Sequence, residues 1–143
     1  MFDFGEIRQA LESGNAPKVK KLTEAALGQG VSAETLLSEG LIAAMSEVGE
    51  KFKRNEVYVP EVLVAARAMY AGLDILRPIL VETGAKAVGK LVIGTVKGDL
   101  HDIGKNLVRM MFEGAGFHVV DLGIDVPDSK FVDAVRTEGP DLL

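Results

Sequence analysis

Through residues 2–83 the apolar positions recur every three or four residues, the period at which side chains share one face of an α-helix. Phe4, Ile7 and Leu11 form a first stripe that Ser13, Gly14 and Asn15 interrupt. Asn15, with Pro17 just inside, predicts the start of a second helix carrying Val19, Leu22 and Ala26, and Gly28-Gln29-Gly30 ends it. Ser32 is expected to cap a longer third helix, with Glu34 in its first turn and Leu37, Leu41, Ala44, Val48 and Phe52 on one face. Lys51, Lys53 and Arg54 suit its C-terminal end, and Pro60 opens a fourth helix with Val62, Ala66, Met69, Leu73 and Leu76 as its stripe. Four amphipathic helices with short joins predict an antiparallel bundle.

After Gly84 the period changes. Leu91 to Val96 is a continuous run rich in β-branched residues, as in a strand buried on both faces, and Ile103 to Phe112 then reads as helix, closed by Gly114-Ala115-Gly116. Phe117 to Leu122 reads as a second strand. Asp128 is expected to cap a helix through Phe131, Val132 and Val135, stopped by Gly139-Pro140, and Asp141-Leu142-Leu143 as the start of a third strand. Alternation of strand and helix predicts a parallel, doubly wound sheet. The expected organisation is a four-helix bundle over 1–84 followed by a Rossmann-like (flavodoxin-like) α/β domain over 85–143, joined by a linker at residues 82–89. A parallel sheet needs helices on both faces and several strands, so the second domain is expected to be C-terminally incomplete.

Composition narrows the classes. The 143 residues carry 48% hydrophobic and 26% charged positions and a net charge of −5, with no run of Lys and Arg, so no footprint for nucleic acid is present. There is no cysteine, which excludes disulfides, thiolate zinc sites and a cysteine nucleophile, and fits an intracellular protein. No apolar run approaches the roughly 20 residues of a membrane span, and the N-terminus lacks the basic and apolar regions of a signal peptide. The expected location is the cytoplasm, with no membrane partner.

Candidate chemistry concentrates in Lys97 to Gly104, the loop at the carboxyl end of the first strand, where open α/β sheets bind ligands. A plain turn, with Asp99 or Asp102 capping the next helix and His101 merely solvated, is one reading. A phosphate-binding loop fails on spacing: five residues separate Gly98 from Gly104, and Asn106 stands where Ser or Thr should hold magnesium. Zinc needs three or four protein ligands, and the other histidine, His118, sits at a strand start. A metal held by a macrocycle asks the protein for one axial group, which His101 could supply, with Asp99 accepting the other imidazole N–H.

Asp99-Leu100-His101-Asp102-Ile103-Gly104 matches the Asp-x-His-x-x-Gly signature of cobalamin-binding domains. The wider GTVKGDLHDIGKN and VVDLGIDVP resemble the corrinoid proteins of methyltransferase systems and the cobalamin module of methionine synthase. NEVYVPEVLVAARAM is similar to a segment of the helical cap that precedes that module, so the resemblance runs over nearly the whole chain.

The resemblance implies a cofactor, cobalamin or another corrinoid, with cobalt as the metal. His101 would be its lower axial ligand and Asp99 the hydrogen-bonded partner that tunes it. Gly98 and Gly104 would leave room beside the corrin and its nucleotide tail, with Leu100, Asp102 and Ile103 in the same binding loop. Tyr58, Val59 and Val62 would cover the upper face of the corrin, although such a stripe is equally expected of bundle core. The implied function is that of a carrier subunit, itself not an enzyme. As methylcobalamin it would bear a methyl group on cobalt between a substrate-specific methyltransferase and an acceptor methyltransferase acting on a thiol or tetrahydrofolate, with a reductive activation protein as a further partner. Alternatives are a cobalamin-dependent sensor and a fragment of methionine synthase. The family's following Ser-x-Leu and Gly-Gly motifs have no counterpart in these residues.

Overall fold

The computed structural model describes residues 2–84 and 86–143; Met1 and Ala85, the latter within the expected linker, lie outside it. The chain forms two compact units, one up to Lys86 and one from Ala87 onward.

In the first unit, α1 (Gly5–Glu12), α2 (Ala16–Gly28), a rod made of α3 (Ala33–Thr35), a π segment (Leu36–Ile42) and α4 (Ala43–Lys53), and α5 (Val59–Thr83) follow one another. The boundaries have local causes. Asn15 accepts the backbone N–H of Lys18 and Ser32 that of Thr35, so both act as the expected N-caps. Tyr58 precedes α5, where Glu61 accepts its backbone N–H at 3.0 Å, and Gly84 ends the helix in the left-handed conformation at φ 69°. Because α5 extends through Thr83, the first two residues of the expected linker are helical.

The bundle core is formed by Ile7, Leu11, Val19, Leu36, Leu41, Val62 and Leu76, all essentially removed from solvent. Thr23, the buried polar residue of this core, satisfies its hydroxyl by donating to Val19 O at 2.9 Å. At Gly72 the helices approach so closely that an added Cβ would lie 3.0 Å from Leu41 and 3.1 Å from Val19.

The third rod departs from the uniform period expected of it. Its π segment shifts the buried face, so Leu36 and Gly40 join Leu41 in the core, Leu37 is only half-buried and Phe52 is 37% exposed. Within this wider turn the carbonyl of Glu39 accepts from Arg8 Nε at 2.8 Å.

In the second unit β1 (Lys90–Ile93) pairs in parallel with β2 (His118–Asp121), with Leu91 opposite Val119 and Val92 opposite Val120. The connection is α6 (Ile103–Gly114), and α7 (Asp128–Glu138) follows β2. Leu142 forms a parallel bridge to Leu91, and Val92 N donates to Leu142 O at 3.0 Å on the edge of β1 opposite β2. The first strand is shorter than its apolar run suggests; Val96 instead bridges Val126 from the loops beyond the two strands. Asp128 is not the cap of its helix. Pro127 occupies the cap position, and Asp128 lies in the first turn, where its carboxylate still favours the helix N-terminus. Val92, Leu91, Val126 and Ala134 form the buried centre of this unit.

Candidate functional site

Parallel strands place the loops that follow them side by side, and the candidate residues stand where β1 gives way to α6. Val96 to Asp99 form a turn closed by Asp99 N donating to Val96 O at 3.0 Å. Its third residue, Gly98, has φ 87°, which a turn of this kind requires and which a side chain would oppose. The chain then runs through Leu100 and His101 to Asp102, which takes the N-cap position of α6 without a side-chain capping bond. Thr95 Oγ1 donates to His101 O at 2.7 Å and anchors the far end of the loop.

Asp99 and His101 meet twice. Asp99 Oδ1 accepts the backbone N–H of His101 at 2.9 Å and lies 2.5 Å from Nδ1 of its ring. The backbone N–H first, and the ring second, hold the Asp99 carboxyl below its ordinary range. An ionised carboxylate only accepts, so Nδ1 carries a proton, and in the neutral imidazole the lone pair then lies on Nε2. The His101 side chain is 96% exposed, so that lone pair is open to a ligand-seeking metal.

The surroundings suit a broad, flat group. Ideal Cβ atoms on Gly98 and Gly104 would meet nothing within 4 Å, and Leu100 and Ile103 beside them expose most of their apolar surface. Among the described residues no group of three or more His, Asp or Glu side chains converges as a metal cage would require. A lone imidazole oriented by a carboxylate fits a metal whose remaining ligands come with a macrocycle.

The candidate residues thus form one continuous segment, Gly98 to Asp102 on the loop and Ile103 and Gly104 in the first turn of α6. Tyr58, Val59 and Val62 belong to the helical unit: Tyr58 is 63% exposed at the start of α5, Val59 is partly exposed, and Val62 lies within the bundle core at 1%.

Four further residues, absent from the sequence motif, support the loop: Lys105, Arg109, Asp121 and Asp125. Lys105, with its side chain 8% exposed, places Nζ 2.7 Å from Asp121 Oδ2 at the end of β2, and Arg109 reaches the same oxygen at 3.0 Å. Burial by itself would raise the Asp121 carboxyl, but Lys105, the N–H of Gly123 and Arg109 outweigh it and hold the group below its ordinary value. This pair pins the first turn of α6, which follows the His101 loop, to the end of β2. The fourth is Asp125, whose carboxylate accepts from Gly98 N at 2.8 Å. The available signal was topological: VVDLGIDVP continues past the end of a strand parallel to β1, so its acids must lie beside the first loop.

Residues 4–77 and 89–143 each match a protein family described as a B12 binding domain. The chain belongs to the B12-binding domain family. Its cofactor class is therefore cobalamin, whose metal is cobalt. This B12-binding chain is 36% identical over 141 residues to a corrinoid protein of Desulfitobacterium hafniense, covering 96% of this chain and 65% of that protein. It is 42% identical over 120 residues to trimethylamine corrinoid protein 1 of Methanosarcina mazei, covering 82% and 56%. The solved methanol:cobalamin methyltransferase complex MtaBC of Methanosarcina barkeri contains a chain that superimposes with a TM-score of 0.87 at 32% identity, covering 96% of this chain and 53% of that one. The B12-binding chain thus spans less than two thirds of the length of each of these proteins. No helix among the described residues is long and apolar enough to cross a membrane.

Proposed function

We propose that this chain is the corrinoid-carrying part of a cytoplasmic methyltransferase system, acting between a substrate-specific methyltransferase and a second enzyme that hands the methyl group to a thiol or tetrahydrofolate. The observation that carries the reading is the Asp99–His101 pair, in which the carboxylate engages Nδ1 and the ring, with Nε2 at its far side, stands exposed beyond the end of β1. Bound cobalamin supplies a cobalt atom able to take up and give up a methyl group. The chain's own residues have narrower tasks. His101 offers Nε2 as the single protein ligand, and Asp99 keeps the Nδ1 proton in place and stabilises added positive charge on the ring. Gly98 and Gly104 keep the approach to the loop open, and Leu100 and Ile103 offer apolar surface to the macrocycle. Asp102 presents a carboxylate at the N-terminus of α6. Tyr58 and Val59 are the proposed cover from the helical unit; Val62, expected with them, is packed in the bundle core and has no surface to offer, and a reductive activation protein is a proposed third partner. The names of the relatives point to methylamines and methanol as donor classes.

The test is an absorption spectrum of the purified chain after incubation with hydroxocobalamin and desalting, beside His101→Ala. A corrin spectrum that stays with the protein and shifts in His101→Ala supports the assignment. Retention with identical spectra in both proteins removes His101 as the ligand, and loss of corrin from the wild type removes the carrier reading for this chain.

A further inference from the structure

The His101 loop is held from outside as well as from within. Asp125, on the loop after β2, grips it with two groups at once: its carboxylate accepts from Gly98 N at 2.8 Å, and its own N–H donates to Asp99 O at 3.1 Å. Asp125 does so at φ 52°, a left-handed conformation that acidic and amide side chains tolerate better than others. The neighbouring ladder aligns the two loops, through Thr95 N to Gly123 O at 2.9 Å and Val126 N to Thr95 O at 2.9 Å. Asp99 is in consequence engaged at its N–H, its carbonyl and its carboxylate, and the direction of the His101 ring follows from that of Asp99.

We propose that Asp125 is a positioning residue that sets the Asp99–His101 pair in its ligating geometry before any cofactor arrives. A negatively charged acceptor makes the stronger bond to a backbone N–H, and a loop already ordered loses less freedom on binding. The local claim concerns this chain alone; its consequence for cobalt rests on the reading of His101 as ligand.

Amide hydrogen exchange of the chain without cofactor, followed by NMR, separates the two. Asp125→Gly keeps the left-handed backbone and removes the carboxylate, Asp125→Ala removes it without adding freedom, and Asp125→Asn retains an acceptor oxygen. The Gly98 amide should exchange about tenfold faster in the Gly and Ala variants, and return to within about threefold of wild type in Asn, while Val92 and Val120 stay protected. An unchanged Gly98 amide in either truncated variant that keeps the Val92 and Val120 protection, or an Asn variant as unprotected as Asp125→Gly, overturns the proposal. With hydroxocobalamin, the Gly variant's spectrum should move toward that of His101→Ala, and a spectrum identical to wild type overturns the positioning role. If the wild type itself retains no corrin, the carrier reading fails while the exchange comparison still decides the strut.

Discussion

Asp99 Oδ1 receives two bonds from one residue, the backbone N–H and the ring Nδ1 of His101. The backbone bond fixes where the carboxylate sits and the ring bond fixes which imidazole nitrogen keeps its proton. Replacing Asp99 by Ala removes both. The Nδ1–H tautomer, readable from imidazole nitrogen shifts in the cofactor-free chain, should give way to a mixture. Retention of hydroxocobalamin should weaken by about 10–100-fold, the usual effect of losing a carboxylate behind a ligating histidine. An unchanged tautomer in Asp99→Ala would separate the carboxylate from the ring's state.

The Lys105–Asp121 pair is expected to matter through stability. Asp121→Asn leaves a largely buried ammonium with a weakened partner, and should cost about 2–3 kcal/mol, below the 3–5 of a fully buried broken pair because Asn106 Oδ1 still accepts from Lys105 at 2.9 Å. Lys105→Met should cost less, since Arg109 and Gly123 N–H remain on the carboxylate. Urea unfolding of both singles and the double variant gives the coupling, and additive effects would show that the ion pair contributes no coupling.

The same pair has a pH signature. The folded Asp121 carboxyl lies below its ordinary value of 3.8, so its contribution is fully present above that value and is lost as pH falls through the depressed folded one. Wild type and Asp121→Asn should therefore differ in unfolding free energy by a constant amount near neutrality, and the difference should shrink below about pH 4. A difference that persists undiminished to pH 2 would contradict the shift.

The elements that periodicity could reveal are those whose cause is local. Asn15 and Ser32 announce helix starts through their own side chains, and Gly84 ends α5 by adopting a conformation that favours glycine. The π segment is hidden because a widened turn leaves residue types unchanged and only moves the stripe, so Phe52 shares the predicted face yet is 37% exposed. Asp128 misled because an acid one position inside a helix resembles an acid at its cap. In the site, Asp99 and His101 are neighbours in sequence and were legible. Lys105 with Asp121, and Gly98 with Asp125, are joined only when β1 and β2 pair, so no local pattern could name them.

Tyr58 and Val62 separate two roles that one apolar stripe combines. Val62 is core, so Val62→Ala should cost about 2 kcal/mol in urea unfolding. Tyr58 is exposed, and Tyr58→Ala should change stability by no more than about 0.5 kcal/mol. If Tyr58 and Val59 cover the cofactor, their alanine variants should instead increase the rate at which an external thiol or reductant reaches bound cobalamin. Equal rates in wild type and both variants would leave these side chains without that task.

Gly98 and Gly104 look alike in the motif but should respond oppositely to an added methyl. At Gly98 the obstacle is the backbone: φ 87° disfavours any side chain even though the space is open, so Gly98→Ala should destabilise the cofactor-free chain by about 1–2 kcal/mol. Gly104 lies in the first turn of α6 with no positive φ and nothing within 4 Å, so alanine should stabilise the helix by roughly 0.5 kcal/mol. If that open space is where the corrinoid approaches, the stabilised Gly104→Ala chain should nonetheless retain hydroxocobalamin less well than wild type. Stability and retention moving in opposite directions cannot come from damage to the fold, whereas a Gly104→Ala chain that is more stable and binds as tightly would place the cofactor away from Gly104.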